Sequence, residues 1–410
     1  MADHLLVLGG SRQAEAGLKH LKSLGLKLTV CDINPMAPGF VHADHKIIAS
    51  VYHVEDCLPA VEKFCETETL NGVMCLACDV PHVVARIADR LRLPGISIET
   101  ADRAVHKMDM KRKFEVDGVS VPRYWAVKSA SDVADILEEL NCELVVKPVD
   151  SRGSKGVSRL AVDGDVDWAF NNASVNSPSK QVMVEEYLAG PQVSTETVIV
   201  DGKAVTPALS DRSYEFLDKF HPFIVEDGGD MPTILPQTIV QEICELVELA
   251  AASLGVVNGI VKGDIVVNNG KPYVIELAAR LSGGYFCTHQ IPFSTGVNLV
   301  EACALIALGK QLNLEDWQAK KHRYVSTRWK LIKPGRVIAV PSVDPVFQSE
   351  GVLAFEHWLK VGDVVGEAEN AAASVAMVQA EGASQREARI RAVEALKFFE
   401  PTVEVIENIS

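Results

Sequence analysis

The feature that most restricts the fold of this chain is a regular alternation of two patterns over its first 95 residues. Short apolar runs predict strands, and stretches with apolar residues three and four positions apart predict helices. In chain order the predicted strands and helices alternate, with the bounds Leu5–Leu8, Gln13–Leu24, Leu28–Cys31, Val54–Cys65, Gly72–Leu76 and Val80–Leu91. Strands that alternate with helices in this way pair into a parallel sheet with helices on both faces. An α/β fold is therefore predicted at the N-terminus.

The remainder of the chain mixes helices with strands of a different pattern. A helix is predicted over Ala101–Asp117, and a small α/β lobe follows it. Asn268-Asn269-Gly270 stands between two apolar runs, which is a strong signal for a β-hairpin. The last segment has short β runs, and Ser384 with Glu387 predicts a capping box at the start of a helix. These changes of pattern divide the chain into four predicted parts, 1–100, 101–190, 191–320 and 321–410.

Composition excludes several classes of partner. The 410 residues include 40 basic and 55 acidic side chains, so the formal net charge is −15. This charge argues against non-specific binding to nucleic acid or to an anionic membrane. No apolar run reaches 18 residues and no basic segment precedes an apolar one, so neither a membrane span nor a secretory signal is predicted. Nine scattered cysteines are typical of reduced thiols, and we expect a cytoplasmic protein.

Two further signals are weak. Gly9-Gly10 after the first strand and Asp32 after the second suggest a dinucleotide site, but the G-x-G-x-x-G spacing is absent. A tight turn before a helix is therefore favoured over a nicotinamide site, and a dehydrogenase would leave the middle of the chain unexplained. Cys75 and Cys78 form a C-x-x-C inside an apolar stretch with no second pair nearby. Burial of these thiols is favoured over redox or zinc chemistry.

Phosphate binding is predicted by the segment from Val145 to Val157. A strand presents Lys147, and a loop with small residues, Ser151–Gly156, follows it. Phosphates need a fixed cation together with backbone N–H groups that no side chain obstructs. The spacing is not that of a P-loop. Taken alone, the segment also fits a β-hairpin with a solvated lysine.

Two more segments have polar residues in informative places. The strand Val184–Leu188 ends in a short polar linker and could present backbone groups to an adenine edge, although a half-buried edge strand fits equally well. Asp264 and Glu276 fall on the two arms of the predicted hairpin, where both can face the same side. Two carboxylates side by side, with phosphates as partners, are suited to Mg²⁺. Arg280 follows four residues later and is expected on the same face, and Gly283-Gly284 allow close backbone approach. The alternative is a cross-strand surface pair with a nearby salt bridge.

These three segments together resemble the ATP-grasp superfamily over roughly residues 1 to 310. The resemblance implies an α/β ATP-grasp fold with an N-terminal parallel-sheet domain, and ATP and Mg²⁺ as cofactors, with Mn²⁺ as an alternative ion. For the nucleotide, the resemblance implies that Lys107 and Lys147 contact phosphate, and that Ser151, Gly153, Ser154 and Gly156 form a lid over the phosphates. It implies that Glu185 and Leu188 contact adenine, that Gln192 lies near the ribose and that Glu196 is a nearby acidic residue of the same site. For the metal and the substrate, it implies that Asp264 and Glu276 hold the metal, that Arg280 steadies the acyl phosphate, and that Gly283 and Gly284 lie near the carboxylate substrate.

The chain departs from the family pattern at two positions. The family often has E-x-N-P-R on the metal strand, where the asparagine helps to hold magnesium, but this chain has Ala278 at that position. Ala278 cannot bind a metal, so we expect a second metal to be held by one carboxylate, phosphates and water, or to bind weakly. Lys262 stands where relatives often have a histidine.

The E-x-A-A-R run followed by Gly-Gly is similar to the L-amino acid ligase branch, as is the C-terminal β-rich lobe. That similarity implies an ADP-forming ligase that joins a small carboxylate to an amine, with Arg212 as a contact for a substrate carboxylate or, equally, as a surface arginine. It also implies a homodimer through the first domain. A carboxylase, a phosphotransferase and a non-catalytic nucleotide-binding module remain as alternatives.

Overall fold

The fold is that of a computed structural model, which describes residues 2–406 apart from the side chain of Ala371. The chain divides into two compact units. The first unit comprises Met1–Val121, Ser194–Leu209 and Leu235–Lys321, and the second comprises Pro122–Val193, Ser210–Ile234 and His322–Ser410. The division into four parts made from the sequence remains a prediction, and its two ends, Met1 and residues 407–410, lie outside the described residues.

Strands outnumber α-helices over the described part of the chain. In chain order the strands are β1 His4–Leu8, β2 Lys27–Asp32, β3 His45–Ile48, β4 Gly72–Cys75, β5 Tyr124–Val127, β6 Leu144–Pro148, β7 Ser158–Leu160, β8 Val182–Glu186, β9 Gln192–Val200, β10 Lys203–Ser213, β11 Gly228–Met231, β12 Gly259–Asn268, β13 Lys271–Ala278, β14 Tyr324–Lys330, β15 Gly335–Ala339, β16 Val352–His357, β17 Val364–Val365, β18 Ala376–Gly382 and β19 Thr402–Glu404. The α-helices are α1 Arg12–Ser23, α2 Val54–Cys65, α3 Pro81–Leu91, α4 Ile98–Val105, α5 Lys107–Val116, α6 Ala130–Leu140, α7 Val166–Val175, α8 Gln237–Leu254, α9 Ile291–Thr295, α10 Leu299–Ala307, α11 Asp344–Phe347 and α12 Gln385–Leu396.

The first unit begins with the parallel sheet that the alternation predicts. Its strand order is β3-β2-β1-β4, and all its pairings are parallel. The strand β1 is buried along its whole length, because helices cover both faces of a parallel sheet. The α/β prediction is confirmed, and the structure adds β3, whose four residues include too few apolar side chains to be recognised. The free thiols of Cys75 and Cys78 lie at the end of β4, buried and half-buried respectively, as expected.

The helix predicted over Ala101–Asp117 is two helices. The chain leaves the helical conformation at His106, whose side chain accepts a hydrogen bond from the backbone N–H of Asp109 and so caps α5. This cap satisfies one of the N–H groups that have no partner inside the helix. The break makes Lys107 the first residue of α5, where its side chain is buried.

The predicted hairpin is present in the first unit as β12 and β13. Its antiparallel register pairs Asp264 with Glu276 and Lys262 with Ala278. Asn269 and Gly270 have φ values of +49° and +75°, which is the left-handed conformation that a tight hairpin turn requires. The strands β9 and β10 continue the sheet in the order β13-β12-β9-β10. The helix α8 packs on β13 and buries its apolar stripe there.

The second unit contains two antiparallel groups of four strands. One has the order β5-β8-β6-β7, and its apolar face packs on α6 and α7. The end of β10 continues into β11-β14-β18-β16, whose core includes Phe355, Val378 and Phe399. Ser384 caps α12 by accepting a hydrogen bond from the N–H of Glu387, and Glu387 accepts one from the N–H of Ala383. The helix therefore begins at the predicted position.

Over residues 2–406, no single helix is both long and apolar enough to cross a membrane. Only the helical segments Phe286–Thr295 and Leu299–Ala307, taken together across a 120° bend, reach that length and composition.

Candidate functional site

The hairpin of the first unit presents two carboxylates next to two lysines. Asp264 and Glu276 are direct cross-strand partners, so their side chains project from the same face. Lys107 Nζ lies 3.6 Å from Glu276 Oε2, and Lys262 Nζ forms an ion pair with Asp264 Oδ1. Ser194 Oγ donates a hydrogen bond of 3.2 Å to the same oxygen of Asp264. We call these four charged side chains the hairpin cluster; the exposed fractions of their side chains run from 10% to 27%.

The donor set of the hairpin cluster fits a magnesium ion. Carboxylate oxygens are the ligands that Mg²⁺ prefers, and the ion usually takes one or two of them and completes its shell with phosphate and water. Over the described residues, no group of three or more His, Cys, Asp or Glu side chains is arranged to hold a metal. Asp264 and Glu276 thus offer a pair of ligands of the kind that an ion bound with nucleotide phosphates would use.

The segment Arg280–Tyr285, which we call the anchored turn, follows the hairpin directly. Since β13 ends at Ala278, Arg280 lies beyond the strand, so strand alternation alone does not fix the direction of its side chain. The expectation that Arg280 shares the face of Glu276 stays a prediction. Its Nε lies 3.1 Å from Asp79 Oδ1, and its Nη1 donates to the carbonyl of Leu281. Burial opposes the charge of the guanidinium, but the negative charge of Asp79 outweighs it and raises the pKa of Arg280. Asp79 therefore fixes the direction of the arginine.

Two other side chains hold the anchored turn from different elements. Gln13 of α1 accepts a 2.9 Å hydrogen bond from the backbone N–H of Gly284 through Oε1. Glu196 of β9 accepts one of 2.8 Å from the N–H of Ser282, and a second from the hydroxyl of the same residue. The backbone N–H of Gly284, a residue expected near the carboxylate substrate, is thus already bonded to Gln13.

Glu196 has an unusual environment. Its side chain is fully buried, and this burial raises the pKa of its carboxyl group to about 7, although the hydrogen bonds from Ser282 act in the opposite direction. The resemblance places Glu196 at the nucleotide. The structure gives it contacts with the anchored turn, where it acts on the backbone of residues near Arg280.

The second unit contains the other predicted phosphate ligand. Lys147 Nζ on β6 lies 2.8 Å from Glu185 Oε2 on β8, and both side chains are almost completely buried. The resemblance assigns Lys147 to phosphate and Glu185 to adenine, and the structure shows the two side chains as an ion pair. A buried ion pair costs desolvation, so removing one partner leaves a charge that nothing offsets. Glu185 therefore fixes Lys147 in place.

The lid loop, Ser151–Gly156, follows β6 in the second unit. Ser151 Oγ donates to the carbonyl of Lys155, and the N–H of Lys155 donates to the carbonyl of Arg152. Gly153, Ser154 and Gly156 have φ values of +60°, +60° and +76°, so the backbone turns sharply. Gly153 is exposed and Gly156 is buried. Such a turn can present backbone N–H groups to an anion, and the role of the loop as a phosphate lid stays a prediction.

The remaining predicted residues of the second unit are placed along β8 to β11. Leu188 is half-buried just after β8. Gln192 Oε1 accepts a 3.2 Å hydrogen bond from the hydroxyl of Tyr214. Arg212 pairs with Glu226, and its guanidinium lies 5.4 Å from the ring of Tyr214. The acidic neighbour Glu226 offsets the charge of Arg212. This pair gives Arg212 a structural partner, and its role as a contact for a substrate carboxylate stays a prediction.

Gln13 and Asp79 belong to this arrangement and were not identified from the sequence. Both follow strands of the parallel sheet, Gln13 in the first turn of α1 after β1 and Asp79 after β4. The carboxyl ends of parallel strands lie at one edge of a sheet, and ligands bind at this edge in α/β folds. Polar residues at this position are the signal that could have indicated them.

Comparison with known proteins identifies two domains in this chain. Residues 104–284 match the family described as the ATP-grasp domain, and residues 328–404 match the L-amino acid ligase C-terminal domain 2. The alanine–anticapsin ligase of Bacillus subtilis is 25% identical over 308 residues, which cover 69% of this chain and 62% of that protein. The carbamoyl phosphate synthase large chain of Pseudarthrobacter chlorophenolicus is 24% identical over 356 residues, or 82% of this chain. This chain spans only 30% of the length of that synthase.

A solved structure has the same fold over almost the whole length of this chain. The L-amino acid ligase from Bacillus licheniformis superposes with a TM-score of 0.83 at 20% sequence identity, covering 98% of this chain and 99% of that one. This likeness shows that the two chains share a fold. The two family matches lead to one conclusion about domains: this chain has an ATP-grasp domain over residues 104–284 and, after it, the C-terminal domain described for L-amino acid ligases.

Proposed function

We propose that this protein is an ATP- and Mg²⁺-dependent ligase that joins a small carboxylate to an amine, in the first instance two amino acids. The observation that supports it best is the hairpin of the first unit, where Asp264 faces Glu276 and Arg280 follows under the control of Asp79. The same region lies inside the match to the ATP-grasp domain, and the chain ends in the domain described for L-amino acid ligases. The alanine–anticapsin ligase of Bacillus subtilis is a relative whose name describes such a reaction.

The first step of the proposed reaction is phosphoryl transfer. A carboxylate oxygen of the first substrate attacks the γ-phosphorus of ATP, the bond from that phosphorus to the β–γ bridging oxygen breaks, and ADP leaves. The product is an acyl phosphate. Lys107 and Lys147 bind phosphate oxygens, and the lid loop donates backbone N–H groups to them. Asp264 and Glu276 would hold Mg²⁺, and the bound ion would neutralise charge on the phosphates.

The second step is capture by the amine. The nitrogen lone pair attacks the acyl carbon, the bond from that carbon to the phosphate oxygen breaks, and the nitrogen loses a proton as inorganic phosphate departs. Negative charge develops on the acyl oxygen in the transition state, and the guanidinium of Arg280 stabilises it. Asp79, Gln13 and Glu196 keep the anchored turn in position. Exclusion of water by the lid loop protects the acyl phosphate from hydrolysis.

The test is phosphate release from ATP with single amino acids and with pairs of amino acids, with products identified by mass spectrometry. We expect sustained release only with a pair, together with one amide and one ADP for each phosphate. Glu276→Gln should abolish release, because a neutral oxygen replaces a charged ligand, while thermal unfolding stays unchanged. Lys271→Gln, at the exposed end of the same hairpin, is the matched control and should release phosphate at the wild-type rate.

A second variant examines nucleotide binding separately. Lys147→Ala should weaken ADP binding by about 1.5–3 kcal/mol, the range for a hydrogen bond to a charged group. Full-rate phosphate release with a carboxylate alone, or a stable phosphorylated product, would replace the ligase by a phosphotransferase. A bicarbonate requirement would replace it by a carboxylase, and binding of ATP without any turnover would indicate a nucleotide-binding module.

A further inference from the structure

Four residues of the hairpin form a small square on one face. In the antiparallel register, Asp264 lies opposite Glu276 and Lys262 lies opposite Ala278. Residues two apart on a strand share a face, so Lys262 and Asp264 project together, as do Glu276 and Ala278. One row of the square thus contains two carboxylates, and the other contains a lysine and an alanine.

Ala278 leaves this face with fewer metal ligands than the family pattern provides. The family often has an asparagine at this position, two residues after the glutamate, and its oxygen helps to hold magnesium. The methyl group of Ala278 offers no lone pair, and this residue is 3% exposed, so the position is closed to solvent as well. A metal ion bound at Glu276 would therefore receive no second protein ligand from position 278.

Lys262 is a cation on the strand opposite the missing ligand. Its Nζ forms an ion pair with Asp264 Oδ1, the atom that also accepts from Ser194. The other carboxylate of the square, Glu276, has Lys107 3.6 Å away. The two carboxylates and two ammonium groups of the hairpin cluster therefore sum to zero charge. Mutual attraction of such mostly buried charges is stronger than in water, and an additional divalent ion would meet repulsion from Lys262.

We propose that Lys262 is a built-in cation that replaces a second metal ion on this face, so that the nucleotide-bound protein holds one Mg²⁺ instead of two. The inference rests on the proposed function, since it concerns the same hairpin cluster. It assigns a role to a pair of substitutions that oppose each other across the hairpin: a ligand is lost at Ala278, and a fixed positive charge is gained at Lys262. Lys262 is thus a positioning residue that sets how many ions the site accepts.

The test counts metal ions directly. Mn²⁺ is titrated into the protein with a non-hydrolysable ATP analogue, and free Mn²⁺ is followed by electron paramagnetic resonance. We expect one tightly bound ion for each wild-type chain and two for the double variant Lys262→Met/Ala278→Asn, which removes the ammonium and restores an oxygen ligand. Circular dichroism and thermal unfolding show whether each variant is folded.

A single variant keeps the test decisive if the double variant does not fold. Lys262→Met without nucleotide should bind Mn²⁺ on the order of ten-fold more tightly than the wild type, since a neighbouring positive charge is gone. Lys271→Met, which removes an exposed lysine of the same strand pair, is the matched control and should leave Mn²⁺ affinity at the wild-type value. An unchanged affinity in Lys262→Met would overturn the inference.

Failure of this inference can be told apart from failure of the proposed function. Two tightly bound ions in the nucleotide-bound wild type would overturn the role of Lys262 and leave the ligase proposal standing. A wild-type chain that binds neither the analogue nor Mn²⁺ in its presence would overturn both.

Discussion

The lid loop of the second unit and the anchored turn of the first unit are both short, contain glycines and follow a strand, yet they are held in different ways. The lid loop is closed by local hydrogen bonds, such as the one from Ser151 to Lys155. The anchored turn is held by side chains from three remote parts of the chain, namely Gln13, Asp79 and Glu196. A loop with local bonds can open and close at little cost, whereas a turn with remote anchors keeps its geometry only while the whole unit is folded. We therefore expect the lid loop to move and the anchored turn to keep its geometry.

The largest effect is expected from the arginine of the anchored turn. Arg280→Ala should lower turnover of the coupled reaction by a factor on the order of 10²–10³, because stabilisation of charge that develops in the transition state is lost. ATP affinity should stay close to wild type, which steady-state kinetics together with calorimetry will show. A parallel loss of ATP affinity would contradict a role confined to the acyl carbon. Arg323→Ala, an exposed arginine outside the cluster, is the control.

The next largest effect concerns pH and the buried anchor Glu196. Its carboxyl pKa of about 7 in the folded protein is above the ordinary 4.5, so between these pH values the folded state binds a proton that the unfolded state lacks. Stability due to this group is fully present below pH 4.5 and is lost as the pH rises through 7, a change of about 3 kcal/mol.

Glu196→Gln should remove this dependence, since the amide stays neutral and can still accept from the N–H of Ser282. Chemical denaturation at pH 5 and pH 8 measures the free energy of unfolding, and at pH 8 the variant should be more stable than the wild type. Glu55→Gln, which changes a glutamate with a 78% exposed side chain, is the control and should retain the wild-type profile. Equal slopes in Glu196→Gln and wild type would show that Glu196 does not carry the proton.

A smaller effect is expected from the end of the lid loop. A Cβ atom at Gly156 would lie 2.6 Å from Cβ of Asn176 and 2.9 Å from Cγ of Pro148, whereas a Cβ at Gly153 would meet no atom within 4 Å. Both glycines have a positive φ, so replacement by alanine adds a similar backbone strain at either position. Gly156→Ala should therefore destabilise the second unit by about 1–3 kcal/mol, and Gly153→Ala by about 1 kcal/mol. Thermal unfolding compares them, and equal losses would exclude a contribution from the packing contact.

The smallest effect is expected from a neutral anchor. Gln13→Ala removes a single hydrogen bond to the N–H of Gly284, which contributes about 1 kcal/mol, so kcat/KM for the carboxylate should fall several-fold. Lys19→Ala, at an exposed position of the same helix, should leave kcat/KM unchanged. A loss as large as that of Arg280→Ala would mean that Gln13 contacts the substrate itself and is not only an anchor.

Local patterns predicted the elements whose geometry depends on neighbours in sequence. The parallel sheet and the hairpin are of this kind, because apolar alternation and the Asn269-Gly270 turn are local properties. The apolar pattern did not show the break at His106, since only a cap separates the two helices, whereas the resemblance already implied a helix that opens near Lys107. The partner of Arg280 was also missed, because Asp79 is 201 residues away in the sequence and no local pattern connects the two.

The sequence by itself determined the α/β class, the resemblance to ATP-grasp proteins and the chemical types of the candidate site residues, since these depend on residue identity and order. Only the tertiary structure decided the partners of those residues: Glu185 for Lys147, Asp79 for Arg280, Lys107 for Glu276 and Ser282 for Glu196. These pairs join residues from different helices, strands or loops. Their charges are buried together, and the free energy of a buried charge is set by what folding brings next to it, not by its neighbours along the chain.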